Sequence, residues 1–378
     1  MNLILEIATL AILIGCFMIF VVLIFYRRAF KLSIEKIRSD KKLHLMRSDG
    51  NPLISPQSHY DWTVGGTFNP AALMTKDGNP HLIFRAIGAD GVSRLGYAKS
   101  DDGDSFNFND ISTYPIFTLE NPRQKCPAEK KPDPVMYPSG GSWGGCEDPR
   151  VVQIDDRIYI TFSAFDGWDF IRMAVVSIDE DDFMKKRWRW SKPLLLSPEG
   201  KINKNWVLFP EKINGKFAIL HSLSSDVQVD FVDRLEDLAR GVKKIESRFG
   251  GGPAKDALWE KQVRGAGPPP IKTDRGWLVL YHATDKLDPD KYKVGAMLLD
   301  TADPRKVIAR SASPILSPDM WYENDAKAGV VYACGTLVKN DILHVYYGGG
   351  DKHVCVAHTP LTSLLDWLEA NGSKKSSK

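Results

Sequence analysis

The chain has no Cys-x-x-Cys pair, no zinc-type pair of histidines, no glycine loop ending in GK[ST], and no Gly-x-Ser-x-Gly elbow between a strand and a helix. Zinc hydrolysis, P-loop nucleotide binding and nucleophilic-serine hydrolysis therefore lack support. Cysteine is scarce: 5 in 378 residues, at positions 16, 126, 146, 334 and 355. An odd, irregularly spaced set predicts reduced thiols rather than a disulfide framework. Net charge is small as well. The 50 Lys and Arg against 47 Asp and Glu leave +3, too little to suggest nucleic acid as a partner.

Long apolar runs are missing after Tyr26 but not before it. Ile7 to Tyr26 reads IATLAILIGCFMIFVVLIFY, uncharged and as long as a helix needs to cross hydrocarbon. It is long for a cleaved signal peptide, and no small-x-small cleavage site follows it. Basic residues (Arg27, Arg28, Lys31, Lys36, Arg38, Lys41, Lys42 and Arg47) follow it against Glu35 and Asp40. The reading is a single-pass membrane protein with its catalytic domain facing the cytoplasm, its basic segment resting on anionic headgroups. The expected layout is an anchor over 1–27, a basic juxtamembrane linker over 28–48, a catalytic domain over 49–360, and a C-terminal helix with a polar tail over 361–378.

From about Asp49 onward, short alternating apolar runs separated by Gly, Asp, Asn and Pro give an all-β pattern. Five segments resemble one another: NPHLIFRA from Asn79, DRIYITFSA from Asp156, NGKFAILHS from Asn214, RGWLVLYHA from Arg275 and NDILHVYYGG from Asn340. Each is followed by a second run (SRLGYAKS, FIRMAVVS, DVQVDFV, YKVGAMLLD and KHVCVAHT). The spacing suits one four-stranded sheet per unit, and five such sheets arranged radially make a five-bladed β-propeller. A β-sandwich of unrelated hairpins is the alternative. Just before the closing small residue stand Arg85, Ser163, His221, His282 and Tyr347. A polar group recurring at one repeat position can converge on a central channel, whereas a lone His or Arg at a strand end is usually solvated.

One cluster suggests chemistry. GCEDPR, Gly145 to Arg150, sets two carboxylates and a guanidinium at the mouth of a strand. A carboxyl group that holds and delivers a proton is what glycosidic-bond cleavage requires; a solvated turn is the plainer reading. Thr67-Phe68-Asn69-Pro70, the run Asn203-Lys204-Asn205 leading to Leu208-Phe209-Pro210-Glu211-Lys212, and the stiff turn Gly265–Pro270 are also too unusual for plain scaffolding.

In series, FNPA, LIFRA, SRLGYAKSDDG, GCEDPRV, FPEKINGK, GAGPPPI, WLVLYH, DPRKVIARS and YYGGGD resemble the glycoside hydrolase family 130 mannoside phosphorylases, from about Gly66 to Ala357. The resemblance implies a five-bladed propeller and inverting phosphorolysis of β-mannosides to α-mannose 1-phosphate. Inorganic phosphate would be the co-substrate, with no cofactor and no metal. It implies Asp148 as general acid, acting through the mannose 3-hydroxyl, with Arg172, Lys212 and His221 as the phosphate cradle. Asn69, Arg85, Arg94, Asp166, His282 and Asp351 would bind substrate. Three features depart from the family pattern: Ser222 after His221, the segment Cys126–Trp143, and Ala328–Tyr332. A β-mannosidase of the same fold needs a carboxylate base opposite Asp148, with Glu211 or Glu323 as candidates. A silent glycan-binding propeller is the third reading. The oligomeric state, homo-oligomer included, is left open.

Overall fold

The computed structural model describes residues 43–101, 105–119, 142–165, 171–223, 226–247, 259–285 and 288–372. Within them the protein is all-β, with four sheets whose antiparallel strands fall into five units; the first two units share one sheet, joined where Val92–Lys99 pairs in parallel with Gly144–Ile154. The first joins Gly66–Met74, Pro80–Ile87, Val92–Lys99 and the short Asp110–Ile111. The second joins Gly144–Ile154, Arg157–Phe165, Ile171–Asp179 and Leu194–Leu195. The third is small, with Val207–Leu208, Phe217–Ser222 and Gln228–Val232. In the fourth, Gly276–Thr284 pairs with Gln262–Ala266, Ile271–Thr273 and Tyr292–Leu299, and Val307–Arg310 forms its edge. The fifth joins Val331–Lys339, Ile342–Gly349 and His353–Pro360.

The ten runs singled out by alternation all fall on strands, and the physical reason is burial on two sides. Pro80–Ile87 and Gly276–Thr284 are buried along their whole length, as a strand is when sheets cover both its faces. Apolar clusters lie between neighbouring units. Ile83, Leu95 and Tyr97 of the first meet Val151, Ile160 and Phe162 of the second. Met173 and Val175 of the second meet Leu208 and Ile219 of the third. Val207 and Leu220 meet Val279 and Met297 of the fourth, and Tyr346 and Val356 of the fifth return to Leu82 and Phe84 of the first. Ala72, Val152, Pro210, Pro270 and Leu337, one from each unit, line a single cavity of about 300 Å³.

Helices are few. α1 (Glu180–Met184) and α2 (Glu236–Ala239) are single turns, and α3 (Leu361–Asn371) buries Leu364, Leu365 and Leu368 against strands of the fourth and fifth units.

Two expectations are corrected here. Among the described residues, no helix is long and apolar enough to cross a membrane. Ile7–Tyr26, on which the single-pass, cytoplasm-facing placement stood, lies outside them, so that placement is withdrawn. The folded unit also begins at His44, earlier than expected. Met46–Arg47 forms an edge strand on His353–Pro360, and Arg47 ion-pairs at 2.7 Å with the fully buried Glu323. Residues assigned to a linker thus complete the fifth unit.

Candidate active site

In the first, second, fourth and fifth units the inner strand breaks register at the same place, between Phe68 and Ala71, Glu147 and Arg150, Val263 and Gly265, and Ala333 and Gly335. A bulge re-aims the side chain it carries. Asn69 (φ 50°) and Asp148 (φ 51°) there adopt the left-handed backbone, as does Asn205 (φ 62°) just ahead of Val207–Leu208, a conformation that Asn and Asp tolerate best among residues bearing a Cβ. Prolines at 70 and 149 remove N–H donors where the ladder is broken anyway. Two glycines make room. A Cβ on Gly145 would fall 2.0 Å from the Ser93 carbonyl, and one on Gly348 would fall 2.0 Å from Asn69 Oδ1.

The bulges of the first two units meet. Asn69 Nδ2 donates to Asp148 Oδ1 at 2.7 Å, and Arg85 Nη1 donates to the same oxygen at 3.0 Å. Arg85 is 1% exposed. Its Nη2 reaches Glu147 Oε1 at 3.1 Å and Ser142 Oγ at 2.9 Å, while Nε holds Ser93 Oγ at 2.8 Å. Lys204 Nζ lies 3.3 Å from Glu147 Oε2. Arg150 folds back on the backbone, donating to the carbonyls of Gly267 at 2.6 Å and Asp148 at 2.5 Å. Three cations (Arg85, Arg150 and Lys204) thus lie around Glu147 and Asp148, and Asp351 acts on Arg85 as a third carboxylate.

Electrostatics follow from that arrangement. Burial alone would raise the Asp148 carboxyl, but Arg85, Arg150, Lys204 and the Asn69 amide outweigh it and hold it down at about 2. Asp351 moves the other way. Burial raises it against the opposing pull of Lys327 and Arg85, and the neighbouring Asp148 charge adds to the rise. His282 is pushed down to about 3 by burial and by Arg150, so it is neutral at ordinary pH. Its ring stacks on Tyr332 at 3.9 Å, and the Tyr332 hydroxyl donates to Asn205 Oδ1 at 2.7 Å. Four buried polar atoms at this site, Asn69 Oδ1, Arg150 Nη2 and both ring nitrogens of His282, have no hydrogen-bond partner among the described residues. Buried polar groups are almost always satisfied, so their grouping makes this a candidate place for a ligand.

Asn69, Arg85, Asp148, His282 and Asp351 therefore come together. Four other candidates do not reach Asp148. Lys212 is half-exposed and pairs with Asp155 at 2.8 Å, at the far end of the strand from Asp148, about 20 Å away at ~3.3 Å per residue. His221 turns its Nε2 to Asp230 at 3.1 Å, and burial lowers it. Arg172 donates through Nε to the Ser197 carbonyl at 2.9 Å, and burial lowers its pKa. Arg94 pairs with Asp90 four residues earlier. Asp166 lies outside the described residues. Of the five residues at the recurrent position, Tyr347 is turned away to Glu323 at 2.7 Å. Cys146, Cys334 and Cys355 are buried free thiols.

The residues that sequence reasoning left without a role are Glu147, Arg150, Lys204, Asn205 and Tyr332. The first two sit in the motif around Asp148, and Lys204 and Asn205 in the run ahead of Leu208, so membership of those unusual stretches was the available signal. Both carboxylates named as bases for a hydrolase are occupied elsewhere. Glu211 is exposed and bound to Lys272 at 2.6 Å, and Glu323 is clamped by Arg47 and Tyr347. Among the described residues, no group of three His, Cys, Asp or Glu side chains is placed to hold a metal ion.

A buried carboxylate ringed by cations, with unsatisfied polar atoms beside it, makes this cluster the candidate active site. Residues 51–370 match the β-1,4-mannooligosaccharide phosphorylase family, and the chain belongs to that family. It is 35% identical to a 1,2-β-oligomannan phosphorylase of Thermoanaerobacter sp. (strain X514), over 83% of this chain and 97% of the relative. It is 32% identical to a β-1,4-mannooligosaccharide phosphorylase of Ruminococcus albus, over 65% and 70% respectively. Among solved structures, the β-1,2-mannobiose phosphorylase of Listeria innocua in complex with β-1,2-mannobiose superposes with a TM-score of 0.64 at 25% identity, covering 86% of this chain and 99% of that one.

Proposed function

We propose that the protein is an inverting β-mannoside phosphorylase that acts on β-1,2-linked mannosides, with the five units as blades of a five-bladed propeller around the shared cavity. The linkage rests on relatives matched over 83% of this chain, a 1,2-β-oligomannan phosphorylase and a β-1,2-mannobiose phosphorylase. The observation that carries the mechanism is the buried Asp148 carboxylate on which three cations, Arg85, Arg150 and Lys204, act together.

A phosphate oxygen attacks the anomeric carbon from the face opposite the leaving sugar. The glycosidic C–O bond breaks, and the leaving oxygen takes a proton that Asp148 passes through the mannose 3-hydroxyl. Phosphate is itself the nucleophile, so no carboxylate base is needed, which agrees with Glu211 and Glu323 being engaged elsewhere. Lys204 and Arg150, rather than Lys212, hold the anion in this scheme. Oriented cations of this kind stabilise the charge developing in the transition state. Asn69, Arg85 and Asp351 hold the mannosyl hydroxyls, and the His282–Tyr332 stack forms a wall beside them.

The arrangement also answers why an acid should rest ionised. The protein's own cations hold Asp148 down at about 2. A bound phosphate offsets their field, and Asp148 then gains proton affinity when the proton is needed.

Incubation of the protein with β-1,2- and β-1,4-mannobiose, with and without phosphate, tests the proposal. The expected outcome is mannose 1-phosphate from the β-1,2 disaccharide, formed only when phosphate is present. Free mannose at equal rates in both conditions would overturn it.

A further inference from the structure

Of the described tryptophans, Trp321 alone is exposed, at 63%. A single exposed apolar side chain is ordinary; one braced in a loop that also reaches the Asp351 carboxylate is not. Trp321 opens a 3₁₀ turn, Trp321–Glu323, whose conformation is fixed from below. The buried Glu323 carboxylate accepts from the backbone N–H of Asp319 at 2.7 Å and of Met320 at 2.9 Å, and is gripped by Arg47 and Tyr347. The indole is propped edge-on by Tyr322 at 5.5 Å and by His353 at 5.6 Å. His353 is itself pinned between Asp325 and Ser55, each at 2.9 Å.

The same loop leads to the reaction centre. Lys327 Nζ lies 3.4 Å from Asp351 Oδ2, the Lys327 N–H donates to the Gly350 carbonyl at 2.8 Å, and Asp351 acts electrostatically on Asp148 and Arg85. One braced loop thus contributes a contact at the cluster and, a few residues away, a fixed aromatic face open to solvent. A rigid indole loses little conformational freedom when a flat partner lies on it, and the apolar C–H face of a mannose ring is such a partner.

We propose that Trp321 is the platform for mannosyl units beyond the disaccharide that spans the cleaved bond, so that it sets the chain-length preference of the enzyme. This rests on the mannoside reading given above. Shorter substrates end before they reach the indole, and longer ones lay a further ring on it.

The test compares wild type, Trp321→Ala and Trp321→Tyr on the di-, tri- and tetrasaccharides of the β-1,2 and β-1,4 mannoside series. For Trp321→Ala, kcat/KM on the longest cleaved substrate should fall about tenfold, the size of one aromatic contact. On the disaccharide it should stay within about twofold, and Trp321→Tyr should restore most of the loss. An equal fall at every length, or no fall at any, overturns the platform. Calorimetric titration of the tetrasaccharides without phosphate reads the same contact without turnover. Weaker binding by Trp321→Ala than by wild type supports the platform even if no mannose 1-phosphate is released; equal binding by both overturns it.

Discussion

Asn69 and Asp148 occupy the same place in consecutive units and are joined by a 2.7 Å hydrogen bond from the amide to the carboxylate. Each sits in an inner-strand bulge with left-handed backbone, and each is followed by proline. A repeated backbone irregularity has thus supplied a neutral donor from one unit and a carboxylate from the next. Asn69 Oδ1 remains without a partner among the described residues, so the amide orients Asp148 and can still accept from a sugar hydroxyl.

The pair makes a prediction about function. Asp148→Asn preserves shape and the left-handed backbone but removes the titrating group, and phosphorolysis should fall by at least ~10²-fold, the usual share of a general acid. Asn69→Ala should lower kcat/KM for the mannoside by about tenfold or more while KM for phosphate stays within about twofold. Initial rates of mannose 1-phosphate release check both. An Asn69→Ala enzyme impaired only towards phosphate would contradict the assignment.

Asp148 itself should respond to anions. Its ionised form among Arg85, Arg150 and Lys204 adds stability that is present above its ordinary value near 3.8 and is lost as pH falls through about 2. If phosphate offsets those cations, the carbon resonance of a labelled Asp148 carboxyl should titrate at low pH in the free protein and shift upward when phosphate is added. A titration unmoved by saturating phosphate would remove the proposed arming of the acid.

Placement also separates two lysines. Lys204→Ala should raise KM for phosphate by about tenfold or more, because it removes a cation next to Glu147 and within electrostatic reach of Asp148. Lys212→Ala breaks an exposed pair with Asp155, a solvent-screened contact that adds little. It should leave phosphate kinetics unchanged. Steady-state kinetics with phosphate as the varied substrate decide the matter, and the reverse pattern would return the anion site to the Lys212 end of the molecule.

Why Lys204 was noted without a role while Arg85 was given one is a matter of physics. Strand alternation is a local signal, so the paired runs from Pro80–Ile87 to His353–Pro360 were readable, and Arg85 stood at a repeating register position within them. A bulge is a register break, which only the partner strand reveals. The aim of Asp148 is therefore absent from the linear pattern, and so is the contact of Lys204 with Glu147, which joins residues 57 apart in sequence. Tyr347 kept its register position, but its hydroxyl found the buried Glu323, a partner set by tertiary packing. Met46–Arg47 is two residues long and pairs with His358 and Ala357, a contact too distant in sequence for any local pattern to show. Lys212 sat in a recognisable motif, yet that motif turns outward to Asp155.

Acid should act on stability through two imidazoles far from their ordinary value near 6.5. His81, 1% exposed, is pushed down to about 4 by burial, with Asp77 opposing, and His282 to about 3 by burial and Arg150. Both are neutral when folded, while the unfolded chain takes up a proton on each once pH drops below about 6.5. Their contribution is thus present above that value and is lost on acidification, at up to ~1.4 kcal/mol per pH unit for each imidazole, until the folded groups also titrate. Urea denaturation at pH 6.5, 5.5 and 4.5 should show stability falling. In His81→Gln, which cannot titrate but retains a polar group opposite Thr75 and Tyr97, the fall should be shallower by about one imidazole's share, whatever the starting stability. An unchanged slope in that variant would mean that His81 is charged in the folded protein.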